Sequence, residues 1–210
     1  MKALLLVDLQ NDFLPGGTIP VPQGDVILPL INQLQGSFKL VVATQDWHPP
    51  NHKSFAANHP GRQPGEVVVL KKIPHRLWPI HCVQTTRGSE LTPGLMLNRV
   101  NRVFRRGTDP EIDGYSGFFD NEHTRATGLS DYFRDKHVTE VYVTGLGTEY
   151  CVKGTVLDAL GLGLKAFVIE DACRGFSLKP DDARSALDEM KEAGAAIIQS
   201  RDLLEFPKKS

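Results

Sequence analysis

Asp46, His48, His52 and His81 are the residues of this 210-residue chain whose types and spacing first point to chemistry. They sit in Thr44-Gln45-Asp46-Trp47-His48-Pro49-Pro50-Asn51-His52 and in Trp78-Pro79-Ile80-His81-Cys82. The first segment follows an apolar run, Leu40-Val41-Val42-Ala43, that reads as a buried strand. Asp46 and His48 are two apart, so on a continued strand they share a face, and at its carboxyl end they point into a ligand crevice. A carboxylate with imidazoles suits a borderline divalent cation, zinc first, with iron or manganese as alternatives.

A second chemistry is readable in Thr144-Gly145-Leu146-Gly147-Thr148-Glu149-Tyr150-Cys151-Val152, which runs from a strand through a glycine-containing turn into a helical pattern. That places Cys151 in the first helical turn, where unpaired N–H groups and the helix dipole favour a thiolate and a lowered pKa. The same N–H groups can hold the oxyanion of a tetrahedral intermediate. A cysteine nucleophile needs a base. Asp8, closing the apolar run Ala3 to Val7, should emerge at the carboxyl edge of the same sheet and supplies one. Cys82 and Cys173 lack such a turn and read as packing.

The elements that must position these groups follow from patterning. Lys2 to Val7, Leu40 to Thr44, Val100 to Arg105, Val141 to Thr144, Lys165 to Ile169 and Ala196 to Gln199 read as strands. Amphipathic stretches at Asp25 to Leu34, Ser130 to Asp135, Glu149 to Leu162 and Asp181 to Ala193 alternate with most of them. This predicts an α/β fold, a doubly wound, mostly parallel six-stranded sheet with helices on both faces, in a single domain over residues 1–210. Pro49 to Pro79 and Gly107 to Gly128 break the alternation and read as long functional loops over the site. A formal net charge of −1 with scattered basic residues gives no footprint for nucleic acid or an anionic membrane. The apolar run ending at Asp8 is too short for a signal segment or a span, and three cysteines without a CxxC pair fit a reducing compartment, so a cytoplasmic protein is expected.

With these segments assembled, the chain resembles nicotinamidases, members of the isochorismatase-like cysteine hydrolases. The likeness is carried by Leu6-Val7-Asp8-Leu9-Gln10-Asn11-Asp12-Phe13, Gln45-Asp46-Trp47-His48-Pro49, Trp78-Pro79-Ile80-His81-Cys82-Val83, Tyr115-Ser116-Gly117-Phe118 and the Cys151 segment. The resemblance implies hydrolysis of nicotinamide to nicotinate and ammonia, the deamidation step of NAD salvage. It implies that Asp8 takes the Cys151 proton, that a thioester forms on Cys151, and that backbone N–H groups of Gly147 and Cys151 form the oxyanion hole. It places a cis peptide at Leu146-Gly147. It implies one divalent metal on Asp46, His48 and His81, anchoring the pyridine nitrogen, and an aromatic pocket of Phe13, Trp78 and Tyr115. His52 reads equally as a further ligand and as a histidine beside the ligands. His59, His75, His123 and His137 lie in no motif and read as solvated or structural. The implied partner is a small molecule, with homo-oligomer formation left open.

One position departs from the family. Arg106, in Val103-Phe104-Arg105-Arg106-Gly107, stands where the resemblance places a catalytic lysine. Arginine keeps the positive charge but does not give up its proton, and a bidentate fork onto Asp8 would make that carboxylate a poorer base. Two readings follow: an active amidase in which Arg106 is a fixed electrostatic stabiliser, and a weak or silent relative that binds a pyridine carboxamide without turning it over. An amidase for another carboxamide or a ureido compound is a third.

Overall fold

A strand covered on both faces needs apolar residues at every position rather than at alternate ones. Ala3-Leu4-Leu5-Leu6-Val7 meets that need: Ala3, Leu5 and Val7 enter one packing layer, Leu4 and Leu6 the opposite one, and all five are fully buried. Each such leucine contributes about 1.5–3 kcal/mol over its exposed state. In a computed structural model, which describes residues 1–70 and 73–204, this run is the strand β1 (Lys2–Val7).

The other strands are β2 (Val41–Asp46), β3 (Val67–Leu70), β4 (Ile73–Arg76), β5 (Arg102–Arg106), β6 (Glu140–Leu146), β7 (Lys165–Arg174) and β8 (Ala196–Ile198). Six of them form one all-parallel sheet in the order β5-β2-β1-β6-β7-β8. The helices are α1 (Leu28–Leu34), α2 (Leu129–Asp135), α3 (Lys153–Gly161) and α4 (Asp182–Glu192). Leu129 and Phe133 of α2, Val156 and Ala159 of α3 and Met190 of α4 pack against the first face, while Ile31 and Leu34 of α1 pack against the second. The sheet is doubly wound as the patterning predicts, with its cover shared unequally. No helix among the described residues is long and apolar enough to cross a membrane.

Four of the strands run further at their carboxyl ends than their apolar runs suggest, β6 to Leu146 and β7 to Arg174 among them, and in β2 and β5 the added residues matter. β2 continues to Asp46 and β5 to Arg106, and the two are register partners on the last rung. Buried Gln10 explains the extension of β2. Its side-chain amide donates to the Asp46 carbonyl and accepts from the Asp46 N–H, both at 2.7 Å, imitating a neighbouring strand. The segment Pro49 to Pro79 is corrected: it holds the antiparallel ribbon β3–β4 as well as loop. Pro74 hides that ribbon in the sequence, but in a two-stranded ribbon a proline can face outwards, where no ladder donor is required.

The consequence for the site is positional. Asp8 follows β1, Asp46 ends β2, Arg106 ends β5, and the turn leading to Cys151 leaves the end of β6. These are four adjacent strands, about 4.8 Å apart, so the four side chains meet at one carboxyl edge.

Candidate active site

Asp8 leaves β1 with a positive φ of 51° and is buried; Thr44 Oγ1 donates to its Oδ1 at 2.7 Å. Arg106, also buried, uses one nitrogen twice: Nη2 donates to Asp8 Oδ2 and to Cys151 Sγ, the latter at 2.9 Å. Nη1 donates to the Gly114 carbonyl and lies 3.2 Å from Asp46 Oδ1. The guanidinium therefore does not fork onto Asp8; it is spread over four partners. Burial works against its charge, but Asp46 and Asp8 outweigh that, and its pKa is raised well above the ordinary value.

Cys151 lies, as expected, at the start of a helix, in a π-type turn (Thr148–Val152) that leads into α3. Such turns recur at functional sites. Its thiol, however, is pushed well up from the ordinary range, because burial outweighs the pull of Arg106. The lowered pKa expected from a helix start is thus corrected, and the resting group is a thiol.

The turn itself is made by Gly147 in the left-handed region at φ 73°, ψ 57°. No cis peptide occurs among the described residues, so the cis bond expected at Leu146-Gly147 is corrected as well. Gly147 N–H donates to the Arg174 carbonyl at 2.9 Å, which commits it away from an oxyanion. Of the two expected donors, Cys151 is the one left.

Asp46, His48 and His81 converge, with one ligand atom of each within 4.8 Å of the others, all three residues buried. Both rings are oriented from behind. His48 Nδ1 lies 2.9 Å from the Gly107 carbonyl and His81 Nδ1 2.8 Å from the Pro79 carbonyl. A carbonyl only accepts, so each Nδ1 carries the hydrogen and each Nε2 lone pair faces Asp46, at 2.9 Å and 3.3 Å. Two lone pairs and a carboxylate pointing at one another repel unless a cation lies between them, so the donor set fits a divalent metal. Burial opposes the charged His48 ring, yet Asp46 raises its pKa. Burial alone would raise Asp46, but Arg106 and His48 hold it well below the carboxylate range. Gly107 is required for this approach. Its φ is +63°, and a Cβ there would lie 2.4 Å from His48 Cε1.

His52 falls outside that trio and groups instead with His48 and Asp113. Its ring centroid is 4.1 Å from that of His48, its Nδ1 is held 2.6 Å from Ser54 Oγ, and its buried Nε2 has no partner. Burial, then the neighbouring His48, pushes its pKa down to about 4, so it is a neutral imidazole. Asp113 is a residue the sequence reading missed. It is buried, 3.2 Å from His75 Nε2, and its carboxyl is depressed because that histidine, then His48, outweigh burial. Only its place in the Gly107 to Gly128 loop hinted at it. His75 is structural, stacked at 8° on the Tyr115 ring.

Phe13, Trp78 and Tyr115 do line one cleft, together with Asp46, His48, His81, Arg106, Asp113 and Cys151. Trp78 Nε1 donates to the Tyr115 hydroxyl at 3.3 Å, and burial raises that hydroxyl's pKa. Ile19, Tyr150 and Phe176 complete the wall and were also missed. Tyr150 meets Trp78 edge-on at 86° with 5.1 Å between centroids, and Phe176 lies 5.7 Å from Trp78. The neighbour of a nucleophile could have been suspected; Phe176, a lone aromatic after β7, gave no signal. Flat aromatic walls suit a flat ring.

The family model described as the isochorismatase domain matches residues 2–202. The nicotinamidase of Escherichia coli (strain K12) is 47% identical over 205 residues, covering 96% of each chain. A solved structure of an Acinetobacter baumanii nicotinamidase and pyrazinamidase superposes with a TM-score of 0.94 at 47% identity, covering 97% of this chain and 98% of that one. A pyrazinamidase of Pyrococcus horikoshii, solved in complex with zinc, gives 0.77 at 40% identity, with 94% and 98% covered. The chain belongs to the isochorismatase family, among its nicotinamidases.

Proposed function

We propose that this chain hydrolyses nicotinamide to nicotinate and ammonia in the cytoplasm, by way of a thioester on Cys151, as the deamidation step of NAD salvage. The observation that carries this reading is one guanidinium nitrogen shared between Asp8 and Cys151 Sγ, in an aromatic cleft that Asp46, His48 and His81 also line. The substrate ring lies among Phe13, Trp78 and Tyr115, with its carboxamide carbon at Cys151. Asp46, His48 and His81 would hold a divalent ion, zinc first and iron or manganese after it, which when bound would supply a Lewis acid for the substrate's ring nitrogen.

The chain's own residues then run the reaction. Asp8 takes the proton from Cys151 as sulfur bonds to the carboxamide carbon, and the Cys151 N–H receives the developing oxyanion. Asp8 returns the proton to the amide nitrogen, the C–N bond breaks, and ammonia leaves a thioester. Water gives a proton to Asp8 as its oxygen bonds to the thioester carbon; the C–S bond breaks and sulfur recovers the proton. Arg106 stays charged throughout and takes no proton part.

The test is ammonia release from nicotinamide by the pure protein beside Cys151→Ala and Arg106→Lys. Turnover by the unmodified chain, abolished by Cys151→Ala, supports the reading. No turnover until Arg106→Lys restores it means that Arg106 has made the chain a binder of pyridine carboxamides instead.

A further inference from the structure

We propose that Glu149 is a positioning residue that sets the width of the aromatic cleft by clamping the segment that carries Phe176; the proposal rests on reading that cleft as the nicotinamide site. Glu149 is buried, yet it makes no ion pair among the described residues, and its Oε2 has no hydrogen-bond partner. A buried carboxylate left in that state is costly unless it holds something in place. What it holds is Ser177, whose backbone N–H donates to Oε1 at 2.7 Å.

The geometry around that bond is tight. Ser177 is in the left-handed region at φ 51°, which a serine keeps only when its surroundings fix it. At Gly175 a Cβ would lie 2.3 Å from Glu149 Oε2, so the carboxylate fills the inside of the bend. The bend carries Phe176 between these two residues, against Phe13 at 6.1 Å, Trp78 at 5.7 Å and Tyr150 at 6.0 Å between centroids. A second tie, Gly147 N–H to the Arg174 carbonyl at 2.9 Å, fastens the start of the same segment to the turn that bears Cys151. The wall facing the substrate ring and the nucleophile are thereby one unit, and Glu149 is its side-chain link.

The experiment measures steady-state kinetics on nicotinamide with the metal-loaded protein and records tryptophan emission. Trp78 is the tryptophan that reports on Phe176, since Trp47 lies against Arg105. Glu149→Ala is expected to raise KM about tenfold with kcat within about threefold, the loss of one charge-assisted bond felt in binding. Trp78 emission shifts with it. Glu149→Gln keeps an acceptor oxygen at the same reach and stays near the unmodified values. Phe176→Ala gives the same KM defect, and Glu149→Ala adds nothing to it. An unchanged KM and emission in Glu149→Ala, a defect confined to kcat, or additive defects in the double variant would each overturn the clamp. No ammonia from the unmodified protein would instead overturn the nicotinamidase reading, and the emission comparison still decides the clamp.

Discussion

Removing the charge of Arg106 while keeping an unbranched stem, as in Arg106→Met, tests what that charge does. Asp8 and Cys151 together hold one negative charge whether the proton is on sulfur or on the carboxylate, and Nη2 touches both. Arg106 therefore keeps a negative charge in the buried site rather than favouring one end of the proton transfer. At the 2.9 Å separation from sulfur and an effective dielectric near 20, the attraction is worth about 6 kcal/mol. Water entering beside the shorter side chain returns part of it, and loss of one preorganised donor typically costs about 10² to 10³ in kcat. Arg106→Met is thus expected to lose about 10³ in kcat, near 4 kcal/mol. Arg106→Lys keeps the charge and stays within about tenfold. Its single ammonium cannot serve Gly114 and Asp46 as well as Asp8 and Cys151, so it loses about 1–3 kcal/mol of stability at the abandoned carbonyl. The assays are ammonia release and thermal unfolding on the same preparations. If Arg106→Met turned over as fast as the unmodified protein, the charge would have no catalytic role and this reasoning would be wrong.

Gly107→Ala puts a Cβ 2.4 Å from His48 Cε1 at a φ of +63°; the displaced ring should weaken zinc binding by about 10- to 100-fold, read by competition with a chromophoric chelator, and undiminished affinity would show that His48 is no ligand. Stripping the metal should raise KM for nicotinamide and erase its advantage over benzamide, which has no ring nitrogen; a preference that survives removal would dissociate the ion from substrate recognition. Cys151 has a pKa raised by burial, so its iodoacetamide alkylation in the metal-free protein should be slow at neutral pH and still climbing at about pH 9, and a plateau near neutrality would contradict a resting thiol.

The strands were legible because burial on both faces forbids polar positions, so runs such as Ala3 to Val7 stand out in the chain. Their ends were less so. Asp46 and Arg106 belong to strands although nothing apolar marks them, because Gln10 supplies the pairing that holds Asp46 and the last rung of β2 and β5 holds Arg106. The convergence of Asp46, His48 and His81 was readable from type and spacing. The pKa of Cys151 was not, since position in a helix gives the sign of one contribution while burial, fixed by residues far away in sequence, gives the other. Asp113, Phe176 and Glu149 escaped for the same reason: each acquires its meaning from a partner in another loop, and no local pattern records that partner.

The order of strands explains why Asp8, Cys151 and Asp46 all meet one guanidinium. Along β5-β2-β1-β6 the carboxyl edge presents Arg106, Asp46, Asp8 and the Cys151 turn in succession. Asp46 stands between Arg106 and Asp8, so any cation reaching from β5 to Cys151 must pass the carboxylate that is itself one of the candidate metal ligands. A planar fork does this with separate nitrogens, Nη1 on the Asp46 side and Nη2 on the Asp8 and Cys151 side. A single ammonium at the same position would have to choose. On the proposed reading, arginine where the resemblance places a lysine would couple the Asp46 carboxylate to Asp8 and Cys151 through one rigid group, altering how the two halves of the site are tied together while keeping the charge between them.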